Sequence, residues 1–199
     1  TTWDYWHQAD AFRDWLGSLR DLRVLNPVDT LLWNLDKRYL HELAESGATI
    51  PRTDFRVEPF DLGAAMDEMG LERVVIKPAI SAGGDDTFVV ERAAASGEQH
   101  EIDRLIERGT VIVQEFLPEI ADGELSLIYL GGQYSHAVLK RAAEGEFRIH
   151  VEHGGTVESA RPSAEVIAAA DQVVASLSQV PAYARVDGVV RDQSLVLME

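Results

Sequence analysis

Apolar residues along this chain recur at three-and-four spacing in some stretches and alternate or run together in others, and those two rhythms separate helices from strands. Over 10–20, Phe12, Trp15, Leu16 and Leu19 form one apolar stripe and predict a core-facing helix. Val24-Leu25-Asn26-Pro27 reads as a short strand closed by a turn, and Asn34 is placed to N-cap a helix over 35–46 that ends at Gly47. Ile50-Pro51 breaks the pattern. Asp61 caps another helix up to Met69, with Gly70 after it, and 73–77 reads as a buried strand. A glycine-rich loop over 81–86 leads into a strand over 87–91, and a helix over 98–108, stopped by Gly109, precedes a strand over 110–116.

In the second half, strands over 124–130 and 133–140 flank Gly131-Gly132, a hairpin signal. A strand over 147–152 follows, Pro162 sits where a first-turn proline would open a helix reaching Leu177, and 183–191 with 195–199 make a last hairpin. Hairpins and helices alternate without a βαβ rhythm, which predicts an α+β fold with antiparallel sheets.

Composition narrows the class. With 199 residues and 46% hydrophobic content the chain is long and apolar enough for one large domain or two small ones. It holds no cysteine, which excludes disulfides, thiol nucleophiles and iron–sulfur clusters. No apolar run reaches the roughly 18 residues of a membrane helix, and TTWDYWHQAD has no signal-peptide pattern, so a cytoplasmic protein without a membrane partner is expected. The chain starts without Met and stops inside the apolar run LVLME, which reads as a fragment. Its 34 acids against 18 Lys and Arg give a charge of -16, so nucleic acid is not expected as a partner unless the cations gather in one place.

The most informative chemistry lies in YARVDGVVRDQSLVLME. A three-residue turn of Asp192, Gln193 and Ser194 would pair Arg191 with Leu195 and set Asp187 opposite Glu199, two carboxylates on one sheet face with Arg185 beside them. Hard oxygen donors so spaced suit Mg²⁺ bound with phosphates; the same spacing also fits a solvated hairpin. Lys77 ends the run VVIKP close to Gly83-Gly84 and could neutralise a phosphate covered by loop N–H groups, or simply snorkel beside an ordinary turn. The apolar strand running into Gln114-Glu115-Phe116, with Glu124 beyond it, could supply a purine slot and a ribose carboxylate. His150 and His153 fall on opposite faces of a strand, which argues against a shared metal. There is no Walker A, G-x-S-x-G, H-E-x-x-H or G-x-G-x-x-G pattern.

In order, WNLDKRYLHELAESGATIP, VVIKPAISAGGDDTF, VIVQEFLPEIADGELSLIYL, SHAVLKRAAEGEFRIHVEHGG and YARVDGVVRDQSLVLME resemble the ATP-grasp superfamily of carboxylate-amine ligases over nearly the whole chain. The look is closest to the branch with glutathione synthetase and the ribosomal-protein glutamate ligases, and TTWDYW with KPAISAGGDDTF is similar to ATP-grasp ligases that close the D-cycloserine ring. The resemblance implies an ATP-grasp fold of two α+β subdomains holding ATP between them: a remnant of an N-terminal substrate domain over 1–33, a lid and hinge over 34–116, and a metal and phosphate subdomain over 117–199. It implies Lys37 and Lys77 on the ATP phosphates under a loop containing Ser81, Gly83 and Gly84, and Gln114, Glu115 and Phe116 at adenine. Glu124 would meet the ribose, Lys140 and Arg148 the γ-phosphate or the acyl substrate, and Arg185 would stabilise charge near the transferred group. Asp187 and Glu199 would hold Mg²⁺, with Mn²⁺ as the alternative, and family members add a third ligand two positions past this glutamate. The implied activity joins small-molecule carboxylate and amine substrates through an acyl phosphate; ring closure within one substrate, a non-catalytic ATP-binding module and a homo-oligomer stay open.

Overall fold

The computed structural model describes residues 4–143 and 154–199. In chain order the elements are α1 (Ala9–Ser18), α2 (Val28–Asn34), α3 (Tyr39–Glu45), β1 (Thr53–Arg56), α4 (Leu62–Met69), β2 (Arg73–Pro78), β3 (Phe88–Glu91), α5 (Ala95–Ile106), β4 (Val111–Glu115), β5 (Glu124–Leu130), β6 (Gln133–Arg141), β7 (Thr156–Ala160), α6 (Ala164–Ala175), β8 (Tyr183–Arg191) and β9 (Ser194–Leu197). They divide into two compact units, one of residues 51–117 and one of 1–50 with 118–199. Both sheets are antiparallel, as the alternation of hairpins and helices predicts. Among the described residues no helix is long and apolar enough to cross a membrane.

The 51–117 unit is a four-stranded sheet in the order β1-β4-β2-β3. The apolar runs that mark β2 and β4 in the sequence are its inner strands, with Val74, Ile76, Val111 and Val113 fully buried against Leu62, Met66 and Ile102 of α4 and α5. The α4 cap is as expected: the Asp61 carboxylate accepts from the Ala64 N–H at 2.7 Å, and Gly70 closes the helix with φ 63°. β1 is absent from the sequence reading. Its residues Thr53-Asp54-Phe55-Arg56 carry charges that suit an edge strand, and only pairing with β4 makes them one.

The second unit is a five-stranded sheet in the order β7-β6-β5-β8-β9. One face carries Leu125, Leu127 and Tyr129 of β5 toward α6, where the Tyr129 hydroxyl donates to the Asp171 carboxylate at 2.8 Å. The opposite face carries Glu124 and Ser126, with Lys140 paired to Glu124 and Asp187 to Ser126.

Four local readings are corrected. Residues 24–27 form no strand; Pro27 leads directly into α2, and the Asn26 side-chain amide donates to the Tyr183 carbonyl at 2.8 Å and accepts its N–H at 3.1 Å, standing in for a strand neighbour. Asn34 ends α2 instead of capping a helix over 35–46, because Asp36 captures both the N–H and the guanidinium of Arg38 and breaks the helix there. The last long helix opens at Ala164, with Ser163 as its cap, so Pro162 stands before the cap. The strand expected over 147–152, with His150 and His153, lies outside the described residues.

The fourth correction concerns the final turn. Asp192 and Gln193, at φ 51° and 65°, make a two-residue turn of the type whose twist matches a hairpin, and Arg191 pairs with Ser194. That register alone would slip Glu199 past Asp187. A β-bulge restores the juxtaposition: the N–H groups of Met198 and Glu199 both donate to the Asp187 carbonyl, at 2.8 and 3.1 Å, and the Asp187 N–H donates to the Glu199 carbonyl at 2.8 Å.

Close backbone approach at this hairpin leaves no room beside Asp187. A Cβ at Gly188 would stand 2.4 Å from the Val196 carbonyl oxygen. Gly188→Ala is therefore expected to destabilise the protein by about 2 kcal/mol, the scale of overpacking a core position. Urea unfolding checks it, through a lower midpoint at unchanged slope; an unaltered midpoint would show that β9 yields freely.

Candidate functional site

In the 51–117 unit the candidate residues sit at strand ends. β2 buries Lys77, paired across the ladder with Ile112, and delivers it beside the 81–86 loop, where the Ser81 hydroxyl donates to the Pro78 carbonyl at 3.1 Å. The loop is two consecutive turns, closed by Asp85 N–H to the Ala82 carbonyl and Thr87 N–H to the Gly84 carbonyl. Gly83 and Gly84 adopt φ 65° and 73°, which glycine reaches without steric cost, and the N–H groups of Gly83, Gly84 and Asp86 stand outside these turn bonds.

At the end of β4 the side chains of the expected adenine segment turn to other work. Gln114 is buried and donates to the Thr53 hydroxyl at 2.9 Å, and the Glu115 carboxylate accepts from the Arg52 N–H at 3.2 Å. The Glu115 and Phe116 N–H groups are taken by the Arg52 and Arg73 carbonyls, so the first backbone donor beyond the sheet is that of Leu117. The Arg73 guanidinium lies 3.8 Å from the centre of the Phe116 ring, a cation–π contact that the sequence reading did not include. A purine edge here would be read by backbone, with Phe116 held in place by Arg73.

The second unit gathers charge on the polar face of its sheet. Asp187, 3% exposed, accepts from Arg185 Nε at 2.8 Å to each oxygen and from the Ser126 hydroxyl at 2.6 Å, with Lys140 Nζ 3.4 Å away. Lys140 also reaches Glu124 at 3.1 Å, and the buried Lys37 meets Glu199 at 3.2 Å. Lys37, expected at phosphate, thus touches the proposed metal acid Glu199. Three cations and three carboxylates form one balanced cluster on a strongly acidic chain. Arg148, the remaining expected cation, lies outside the described residues.

Burial and charge perturb this cluster. Burial raises Glu124, the nearby Asp187 charge adds to it, and Lys140 offsets only part, leaving its carboxyl at about 7. Burial pulls Arg185 down, but the Asp187 carboxylate outweighs it and holds the guanidinium above its ordinary value. Tyr39 is pushed up by burial and then by Glu199 and Asp187. Its buried hydroxyl has no hydrogen-bond partner among the described residues. A cavity of about 370 Å³ opens beside the cluster, with Arg185, Asp187 and Glu199 at one end and Leu31, Leu43 and Val173 along its wall.

Ser126 was missed by sequence reasoning. Its signal is the single serine in the apolar strand ELSLIYL, two residues from Glu124 and hence on the same face. Among the described residues no three His, Asp or Glu side chains form a metal cage. Asp187 and Glu199 offer two hard oxygen donors, which is the protein share of a Mg²⁺ site completed by substrate phosphates. The donor set fits such an ion.

Comparison with known proteins gives the family. The profile for the prokaryotic glutathione synthetase ATP-grasp domain matches residues 43–184. A probable alpha-L-glutamate ligase of Xanthomonas campestris pv. campestris (strain B100) is 32% identical over 139 residues, 69% of this chain and 47% of that protein. One from Stenotrophomonas maltophilia is 30% identical over 146 residues, 73% of this chain and 50% of that protein. The chain spans about half the length of these curated relatives. Among solved structures, D-cycloserine synthetase DcsG superposes with a TM-score of 0.84 at 23% identity, over 98% of this chain and 71% of that one. The D-alanine–D-alanine ligase of Bacillus anthracis gives 0.71 at 18% identity, over 92% and 62%. This chain belongs to the ATP-grasp domain family of prokaryotic glutathione synthetase.

Proposed function

We propose that this chain carries the nucleotide- and metal-binding core of an ATP-dependent carboxylate-amine ligase, which forms a C–N bond through an acyl phosphate and releases ADP and phosphate. The observation that carries the reading is the pair Asp187 and Glu199, set together by a β-bulge and bordered by Lys37, Lys140 and Arg185. Family membership and the ligase names of the relatives support it.

A carboxylate is a poor electrophile because its leaving group would be oxide. Phosphorylation turns that group into phosphate, and an amine can then displace it, so the protein needs no nucleophile of its own. Its task is positioning and charge neutralisation around an in-line transfer. In this proposal Lys77 and the loop N–H groups hold the phosphates, the backbone at 115–117 reads adenine, and Glu124 meets the ribose hydroxyls. Asp187 keeps Arg185 and Lys140 in fixed positions through direct bonds, so cations face the reacting group before the substrate arrives. The family resemblance assigns Arg148 to the γ-phosphate or the acyl substrate. Asp187 and Glu199 would hold Mg²⁺, which neutralises phosphate oxygens when bound, and Ser126 would orient Asp187. The acyl substrate would enter the cavity beside Arg185.

The alternative within the same chemistry is ring closure of one substrate. It is favoured by the similarity of KPAISAGGDDTF to ring-closing ligases, and its mark is ADP release with a single substrate and no second acceptor. A module that binds ATP without turnover would show calorimetric binding and no release.

The whole protein, offered amino acids and amine acceptors with ATP and Mg²⁺, is expected to release ADP and phosphate; none above background overturns the ligase reading. Lys77→Ala should weaken ATP binding by about tenfold or more, as for loss of a charge-assisted phosphate contact, and unchanged calorimetric affinity would move the phosphate site elsewhere. Asp187→Asn should abolish Mg²⁺-dependent turnover with an unchanged circular dichroism spectrum. Ser126→Ala should raise the Mg²⁺ concentration for half-maximal turnover by about tenfold, as loss of a ligand-orienting partner does, and an unshifted titration would leave Ser126 a packing residue only.

A further inference from the structure

The 81–86 loop carries two acids, Asp85 and Asp86, in the segment proposed above to cover a triphosphate. Negative charge there opposes an anionic ligand, and two glycines make the loop costly to order. Asp86 answers both difficulties. Its Oδ1 accepts from Arg104 Nη2 at 2.7 Å and its Oδ2 is bonded by Arg108 Nη1. Arg104 and Arg108 are one helical turn apart, at the end of α5 and just beyond it. That end of α5 is rooted by Ile102 and Leu105, which are 0% and 2% exposed, and Arg104 is braced by Glu101 at 2.8 Å. Asp86 itself stands at φ 49°, in the left-handed region that aspartate enters more readily than most non-glycine residues.

We infer that Asp86, Arg104 and Arg108 form a latch that sets the phosphate loop for nucleotide. The latch rests on the reading of 81–86 as the phosphate loop. Arg104 and Arg108 against the carboxylates of Asp86 and Glu101 leave the base of the loop neutral, so Asp86 adds no uncompensated negative charge there. Anchoring the last loop residue to a buried helix confines the mobile part to the residues around Gly83 and Gly84, so less conformational freedom is lost when a triphosphate is gripped. Burial pushes the Asp86 carboxyl up, but the two arginines outweigh it and hold it below its ordinary value, so the latch stays charged through neutral pH. Asp86 is a positioning residue: it acts through the loop backbone, and its effect belongs to ATP rather than to the carboxylate or amine substrate.

The test uses the whole protein with Asp86→Asn, Asp86→Glu and the pair Arg104→Gln with Arg108→Gln. Asp86→Asn is expected to raise the KM for ATP by about five- to tenfold, the scale of a partly exposed two-arginine pair, and to change kcat by less than twofold. The carboxylate KM should stay level, and amide exchange over 81–87 should quicken. Asp86→Glu should recover part of the loss, and adding the arginine changes to Asp86→Asn should cost little more than either alone. An unchanged ATP KM and calorimetric affinity in Asp86→Asn, or equal losses for all substrates together with a lower melting temperature, overturns the latch. Failure of the wild-type protein to bind ATP overturns instead the phosphate-loop reading beneath it.

Discussion

Everything at the polar face of the second unit depends on one constraint: two carboxylates brought together across adjacent strands must be compensated in place. Asp187 and Glu199 are joined through two backbone hydrogen bonds, with a third from the Met198 N–H to the Asp187 carbonyl, so neither can move away from the other without breaking this pairing. Like charges opposed on a sheet are unfavourable, and here Arg185 and Lys140 reach Asp187 while Lys37 reaches Glu199. The same geometry that would punish an uncompensated pair makes it a place where cations, whether guanidinium, ammonium or a divalent ion, gain energy. The overall charge of -16 therefore says little about this face, where the balance is local.

Backbone geometry is the means. A two-residue turn fixes one register, and the bulge at Met198 and Glu199 shifts the chain by one residue immediately before it would miss Asp187. Gly188 accommodates the closeness that results, since any side chain there would meet the Val196 carbonyl. The hairpin edge is in turn tied to the segment after α3 by the Leu197 N–H donating to the Thr49 carbonyl at 2.8 Å. The short helices of the first fifty residues thus help to hold the carboxylate hairpin in its unit, and they bring Lys37 and Tyr39 to it.

The 51–117 unit follows a different logic. Its inner strands are apolar in their middles, and the residues proposed for function sit where those strands end: Lys77, the glycine loop, and the backbone after Glu115. Side chains that look suited to ligand contact, Gln114 and Glu115, are spent on β1 and Arg52, so the proposed adenine contact falls to main-chain groups. Main-chain donors do not depend on rotamers, and here they are aimed by a sheet whose core is closed.

Much of this was legible in the amino-acid order alone. The apolar periods of β2, β4, β5 and β6, the Asp61 cap with Gly70, and the Gly131-Gly132 hairpin are local signals, and local backbone preferences suffice to decide them. Spacing by two placed Arg185 and Asp187 on one strand face, whereas Lys37 and Lys140 could be named only through the family resemblance. The sequence could not decide what depends on contact between distant segments: the edge strand β1, the Asn26 amide pairing with β8, the Ser126 hydroxyl on Asp187, and the grip of Arg104 and Arg108 on Asp86. The final hairpin combines both kinds of information, for the sequence implied that Asp187 and Glu199 meet but assigned the wrong turn. Only the bulge, a compromise between turn geometry and the packing of β9, brought the two carboxylates face to face.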